Sequence, residues 1–392
     1  MTTYPLLSKP LLAFSFSAFA IGVSEFVVIG LLSQIAGDLG LDLTMAGLLI
    51  TVYAAGVSIG GPLLAHLTRR SASKPVCLRL IWAFAATNLA SAVMPSLLPI
   101  LIFRMISGAM HGAYFSIAST AAPALVAPSR APAAIAVMFS GLTVAMVLGV
   151  PTGIWLGQMF GWESVFLVIS LLSAVAGILV HRFVPQIEDA IDPEEEARFS
   201  AYLNRGVMML YGVTIFGFGG GFIFFSYVEP YLRKVSSFGP TEVARIMLIV
   251  GFGSLFGNAL GGKLPLALGL MRGLAVTITL QAIVLIGIGF SPQLPIVFLT
   301  LLFVWSMACF AVAPMVQSGV IMLATDHRGV NSRLSAGLNA TAFNVGISVS
   351  TLAASGLVSV KGVPYLPFAA ALAVAVALPL LLRSRNLNKI VT

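Results

Sequence analysis

Long apolar stretches separated by short polar ones run the length of the chain. A helix needs about 20 apolar residues to cross a bilayer. Twelve such stretches are present, at residues 11–36, 45–68, 76–95, 97–123, 132–158, 162–184, 205–231, 241–264, 271–291, 294–324, 333–360 and 364–383. They are continuous rather than alternating with a period of two, which predicts helices and not barrel strands. The third and fourth stretches are divided only by Met94-Pro95-Ser96, and the ninth and tenth by Ser291-Pro292-Gln293. Both read as tight hairpins on one side of a membrane.

Composition agrees with this pattern. Of 392 residues, 59% are hydrophobic and 9% charged, against about 25% charged in a soluble domain. The chain is too apolar to cover a water-facing surface, so it is expected to be an all-α membrane protein embedded in a lipid bilayer. The net charge of +8 does not point to nucleic acid, because the basic residues sit in short loops between spans. The first apolar run continues past Ala36, longer than the core of a cleaved signal peptide, and is read as an uncleaved first span. Cys77 and Cys309 fall in apolar segments far apart and read as small core residues.

The basic residues are asymmetric. One set of loops and termini holds Lys9, Arg69, Arg70, Lys74, Arg79, Arg130, Arg182, Arg198, Arg205, Lys263, Arg272, Arg328, Arg333, Arg383, Arg385 and Lys389; the other holds Arg233, Lys234, Arg245 and Lys361. This bias places both termini in the cytoplasm. The long hydrophilic stretch 186–204 carries Glu188, Asp189, Asp192, Glu194, Glu195 and Glu196. It reads as a solvated linker between a six-helix half at 1–185 and another at 205–392. The halves look like diverged copies: Gly60-Gly61-Pro62 ends the second span, and Gly257 to Lys263 ends the eighth. Two six-span halves related by an axis along the membrane normal form a known transporter architecture.

Polar groups inside the spans narrow the chemistry. Glu25 lies in Ser24-Glu25-Phe26-Val27 within the first span, and no other of the thirteen acids lies as near mid-span. A charge at that depth costs about 2.5–3.5 kcal/mol even on the insertion scale, so an intramembrane acid is first read as a functional group, here a proton carrier. Arg104 and His111 stand seven residues apart in the fourth span, on one helix face about 10 Å apart in height. If the first and fourth spans adjoin, Glu25, Arg104 and His111 form one polar cluster. Arg104 as a clamp on backbone carbonyls, and His111 as a packed histidine, are the competing readings. Gly149, Gly153 and Gly157 in the fifth span strip one helix face, and Pro151 removes a backbone hydrogen bond. They are read as a conformational seam where the two halves meet, with plain helix packing as the alternative. No Gly-Lys-Ser/Thr phosphate loop, aspartate pair, metal-spaced Cys/His set or filter-like repeat is present, so no enzyme, metal or cofactor is expected beyond the proton as coupling ion.

These motifs together resemble the major facilitator superfamily, and within it the twelve-span drug:proton antiporters and their sugar-efflux (arabinose-efflux-permease-like) branch. The resemblance rests on Arg104, Gly108 and Gly112 in the fourth span, and on Gly149 to Gly157 in the fifth. It extends to Thr51 through Leu63, to Ser24 through Gly30, and to Ser335 through Gly346. It covers essentially the whole chain. It implies the twelve-helix fold in two pseudo-symmetric halves, proton-coupled export by a monomer of the bacterial inner membrane, and a central cavity lined by spans one, four, seven and ten. Substrate-contacting candidates on that reading are Phe26, Tyr53, Tyr114, Phe115, Phe222, Phe225, Gln317, Asn339 and Asn344. Aromatic faces with a few amides suit an amphipathic small molecule such as a sugar, a sugar-like compound or a drug, while ordinary packing of the Gly-rich seventh span is the alternative. A small-solute importer shares the fold, and a non-transporting sensor or scaffold is a remote alternative. The loop after the second span departs from the family pattern: His66 stands where the family carries an aspartate, before Arg69 and Arg70, and Leu264-Pro265 follows Lys263 in the second copy. The expected cytoplasmic gate of His66, Arg69, Arg70 and Lys263 therefore lacks its acid.

Overall fold

A computed structural model gives the fold; it describes residues 4–68, 71–187, 205–326 and 332–383. Among the described residues, twelve helical spans are long and apolar enough to cross a membrane: Lys9–Gly30, Leu43–Leu64, Ser73–Val93, Leu97–Ala124, Ala131–Phe160, Trp162–Phe183, Gly206–Lys234, Pro240–Leu268, Leu270–Phe290, Pro295–Leu323, Gly337–Lys361 and Val363–Arg383. They match the expected stretches to within a few residues except at the end of the first. There the helix tightens into a 3-10 turn at Val27–Gly30 and restarts as a short helix, Leu32–Asp38. The described residues contain no strand. The acidic run from Glu188 to Glu196, and Arg69 and Arg70, lie outside the described residues.

Large apolar side chains on the outer faces stay uncovered, with Phe290 78% and Ile296 82% exposed. So much bare apolar surface fits lipid and not water. Cys77 and Cys309 are buried and in no disulfide, as expected. Asp42 caps the helix that begins at Leu43, accepting from the Met45 amide at 2.8 Å and from the Thr44 hydroxyl. These bonds hold its carboxyl below the usual aspartate range.

The chain divides into two compact units, Met1–Ile191 and Asp192–Thr392. Each repeats one packing device. In the first unit, spans two and four run parallel in a fixed register. Gly108 lies against the Tyr53 carbonyl and Gly112 against that of Val57, 2.7 Å from where a Cβ would stand. Gly56 and Gly60 return the contact, against the Met105 carbonyl and Ala109. In the second unit Gly257 meets the Met307 carbonyl and Gly261 that of Ala311, between spans eight and ten. Small residues let backbones approach where hydrophobicity gives no drive for helix association.

The fifth span packs against the first. Its glycine face is filled from within its own unit by the first span: Gly149 faces Val23, Gly153 faces Val27 and Gly157 faces Leu31. Both series advance by four residues, so side chains of one helix fill the gaps of the other. The observed use of this seam is helix packing inside the first unit. Pro151 stands just after a π-helical turn at Ala145–Gly149, whose wider ring spaces out the backbone where the proline ring would clash.

The tight register predicts a contrast. Gly56→Ala, which drives a methyl into the Met105 carbonyl, should lower stability by about 1–3 kcal/mol. Gly262→Ala, with nothing within 4 Å of the new methyl, should be neutral or stabilising by up to about 1 kcal/mol. Thermal unfolding in detergent measures both; equal effects would refute the register.

Candidate functional site

Arg104 is fully buried in the fourth span. The 2–4 register places it one turn before the Tyr53–Gly108 contact, against Leu49. Nε donates to the Leu49 carbonyl at 3.4 Å, and Nη1 to the Ser24 carbonyl at 2.9 Å and the Ser24 hydroxyl at 3.1 Å. The Tyr53 ring lies under the guanidinium, 4.0 Å from Cζ to centroid, and Phe166 stands at 5.9 Å. A desolvated cation over a ring gains about 2 kcal/mol. Nη2 is enclosed without an acceptor among the described residues. Backbone carbonyls and a tyrosine face thus hold this charge.

The Tyr53 hydroxyl meets His111 Nδ1 at 3.1 Å. His111 in turn sits edge-on to Phe115 at 5.0 Å, and Phe115 stacks on Phe139 at 5.2 Å. Phe139 is 39% exposed, so a ladder of rings leads from the buried cation to the surface of the unit. Tyr53 and Phe139 are the links that a reading of charged groups misses; Tyr53 lies seven residues after Ala46 in an apolar run, and nothing in the sequence pairs it with span four.

Glu25 follows Ser24 in the chain and is partly exposed. Glu25 sits close enough to Arg104 for the two charges to interact, and among the described residues no hydrogen bond or ion pair joins it to Arg104 or His111. Ser24, through its carbonyl and its hydroxyl, takes the hydrogen bonds of Nη1.

The second unit has different chemistry at the matching place. Ser306 stands where Arg104 stands, donating to the Val250 carbonyl at 2.7 Å. Phe218 packs on Phe222, Phe310 and Phe343, and Trp305 on Phe224 and Phe225. Asn339 is fully buried, accepting from the Thr214 hydroxyl at 2.6 Å and donating to Gln317 at 2.7 Å. The predicted contact residues accordingly separate. Tyr114, Phe222, Phe225 and Asn339 are enclosed in packing, Phe26 and Tyr53 nearly so, and Phe115 and Gln317 keep exposed surface. Asn344 donates to the Ala340 carbonyl at 3.2 Å and leaves Oδ1 open. His66 and Lys263 are exposed near the ends of their helices.

Glu229 is an acid whose position near a span end concealed its burial. It is 3% exposed and pairs with Arg233 at 3.3 Å, four residues on in the same helix. The Glu-x-x-x-Arg spacing is the sequence signal that marks it.

Residues 14–351 match the family described as Major Facilitator Superfamily. The chain belongs to that superfamily. It is 30% identical over 381 residues to the inner membrane transport protein YdhP of Escherichia coli (strain K12), covering 96% of each chain. It is 28% identical over 356 residues to a probable sugar efflux transporter of Helicobacter pylori (strain G27), covering 91% of this chain and 90% of that one. Among solved structures it is similar in fold to a bacterial homologue of the human lysosomal transporter Spinster, with a TM-score of 0.78, 16% identity and coverage of 100% and 99%. The chain is therefore a multi-pass membrane transporter of the facilitator fold.

The stacked geometry predicts an ordering of variants. Tyr53→Phe keeps the ring under Arg104 and loses the bond to His111, lowering stability by about 0.5–1.5 kcal/mol. Tyr53→Leu also removes the ring and should cost about 1–2 kcal/mol more. Chemical unfolding of purified protein measures the difference; equal losses would show that the ring does not hold the cation.

Proposed function

We propose that this transporter exports a small neutral or cationic molecule in exchange for protons, with Glu25 as the proton-carrying group. The observation that carries this reading is a partly exposed carboxyl, free of any ion pair, beside a buried guanidinium that other groups hold in place. Burial and a neighbouring cation act on a carboxyl in opposite senses, which suits a group that must both load and release a proton. If substrate binds more tightly while Glu25 is ionised, proton and substrate exclude each other, and that differential binding is the coupling. The fifth-span motif and the name of the Helicobacter relative support export of a sugar, sugar-like compound or drug.

The substrate contacts in this proposal are Phe115, Gln317 and Asn344, whose ring and amides suit an amphipathic ligand. His111 joins substrate contact to the proton site through Tyr53. The working form is a monomer in the bacterial inner membrane with both termini cytoplasmic, as the distribution of Lys and Arg favours. Transport proceeds by alternating access, with His66, Arg69, Arg70 and Lys263 at the cytoplasmic gate.

Glu25→Gln reconstituted in proteoliposomes should lose export driven by a pH gradient and retain counterflow of labelled substrate. Full gradient-driven export by this variant would remove Glu25 from the coupling step, and acceleration of uptake by inward proton flow would assign import. His111→Ala should weaken substrate binding about tenfold, a loss of about 1.4 kcal/mol; unchanged affinity and transport would remove His111 from the site.

A further inference from the structure

Ser24, the residue that separates Glu25 from Arg104, is itself held from the third span. Its hydroxyl donates to Asn88 Oδ1 at 2.9 Å, and Asn88 Nδ2 donates to the Phe84 carbonyl at 2.8 Å. The same carbonyl accepts from Thr87 Oγ1 at 3.0 Å, and Thr87 Oγ1 accepts from Ser107 at 2.8 Å. Ser107 lies three residues after Arg104 on the fourth span. A circuit therefore closes through spans one, three and four: Arg104 to Ser24, to Asn88, to the Phe84 carbonyl, to Thr87, to Ser107. Ser24, Asn88 and Arg104 are each 0% exposed and Ser107 1%.

The directions of these bonds are fixed. Phe84 offers a carbonyl, which only accepts, so the Asn88 amide must turn its nitrogen to it and its oxygen to Ser24. The Ser24 proton is then committed to Asn88, and the lone pairs of its oxygen face Arg104 Nη1. Without Asn88 the serine hydroxyl loses its amide acceptor and is left to the neighbouring Tyr53 hydroxyl, so it is no longer oriented to receive from the guanidinium.

The second unit repeats this cross-tie without the charge. Gln281 of the ninth span donates to the Gly217 carbonyl of the seventh at 2.9 Å, and both links span 64 residues. There the amide holds backbone. In the first unit it holds a side chain that touches Arg104.

We propose that Asn88 is a positioning residue for proton coupling: through Ser24 it holds the Arg104 guanidinium away from the Glu25 carboxylate and so keeps that carboxylate free to take a proton. The proposal rests on Glu25 as the proton-carrying group. The titratable groups that interact with Glu25 are Arg104 of the fourth span and Tyr53 of the second; the fourth span also carries His111 and Tyr114, and the third Lys74, Cys77 and Arg79. The fifth span carries none, and Glu163, His181 and Arg182 stand at the ends of the sixth. Release of Arg104 therefore leaves Glu25 as its one carboxylate partner in this unit at that depth.

The test reads Glu25 directly. Dicyclohexylcarbodiimide reacts with protonated carboxyls in apolar surroundings, and labelling of Glu25 in the full-length protein is followed by peptide mass spectrometry at fixed pH. Asn88→Leu and Ser24→Ala should each lower the labelling rate about three- to tenfold, the equivalent of one hydrogen bond. The double variant should fall no further than the single ones, because both cut the same link. In an Arg104→Met background Asn88→Leu should have no effect. Unchanged labelling in either folded single variant overturns the proposal. So does a decrease that persists without Arg104, or a wild-type Glu25 that does not react. The labelling does not depend on transport, so failure of Glu25→Gln to abolish driven export would refute the coupling role while leaving the measured effect of Asn88 on the carboxyl intact.

Discussion

A guanidinium enclosed among membrane-spanning helices must find acceptors, and this requirement organises the first unit. Arg104 has no hydration to fall back on, and an unpaired charge in such surroundings costs several kcal/mol. It is met by two carbonyls, one hydroxyl and a ring face. None of these can lose its role by taking up a proton, as a carboxylate would. The cation is therefore held in the same way whether Glu25 is charged or neutral, so that in the proposed cycle the carboxyl can titrate without unfastening the bundle.

The glycines make this arrangement possible. The Leu49 carbonyl comes within reach of Arg104 Nε because spans two and four lie almost backbone to backbone, with Gly108 and Gly112 set against the Tyr53 and Val57 carbonyls. The second unit preserves the close approach at Gly257 and Gly261 but spends it on Ser306, whose short side chain reaches the Val250 carbonyl alone. Space that the first unit gives to a cation, a tyrosine and a histidine is taken in the second by Phe218, Phe222, Phe310, Phe343 and Trp305. One repeated scaffold thus carries a buried charge in one unit and packed aromatic rings in the other.

Much of this was legible in the sequence, for a physical reason. Bilayer burial makes hydropathy decisive, so all twelve spans, and Glu25, Arg104 and His111 within them, stand out against apolar neighbours. The partners did not stand out. Ser24, Tyr53, Thr87, Asn88 and Ser107 are residue types that occur in spans for many reasons, and only the register between helices shows which of them touch. Glu229 lies near a span end, where hydropathy gives no sign of burial, yet its i,i+4 bond to Arg233 lets it remain buried. Gly149, Gly153 and Gly157 were read correctly as a stripped face, but a stripped face does not say which helix fills it; Val23, Val27 and Leu31 do.

The lack of an ion pair between Glu25 and Arg104 also bears on how the proposed coupling would work. A carboxylate locked to a guanidinium gains the same interaction in every conformation, and a group bound equally well in two states shifts no equilibrium between them. A carboxylate kept one residue away from a fixed cation still feels its field, but its remaining needs must be met by whatever the transport cycle brings: water, substrate or a proton. Those change as the protein moves, while the field of Arg104 does not. The serine between the two charges is then a functional spacer as well as an acceptor, because it supplies the constant part of the electrostatics and leaves the variable part to the cycle.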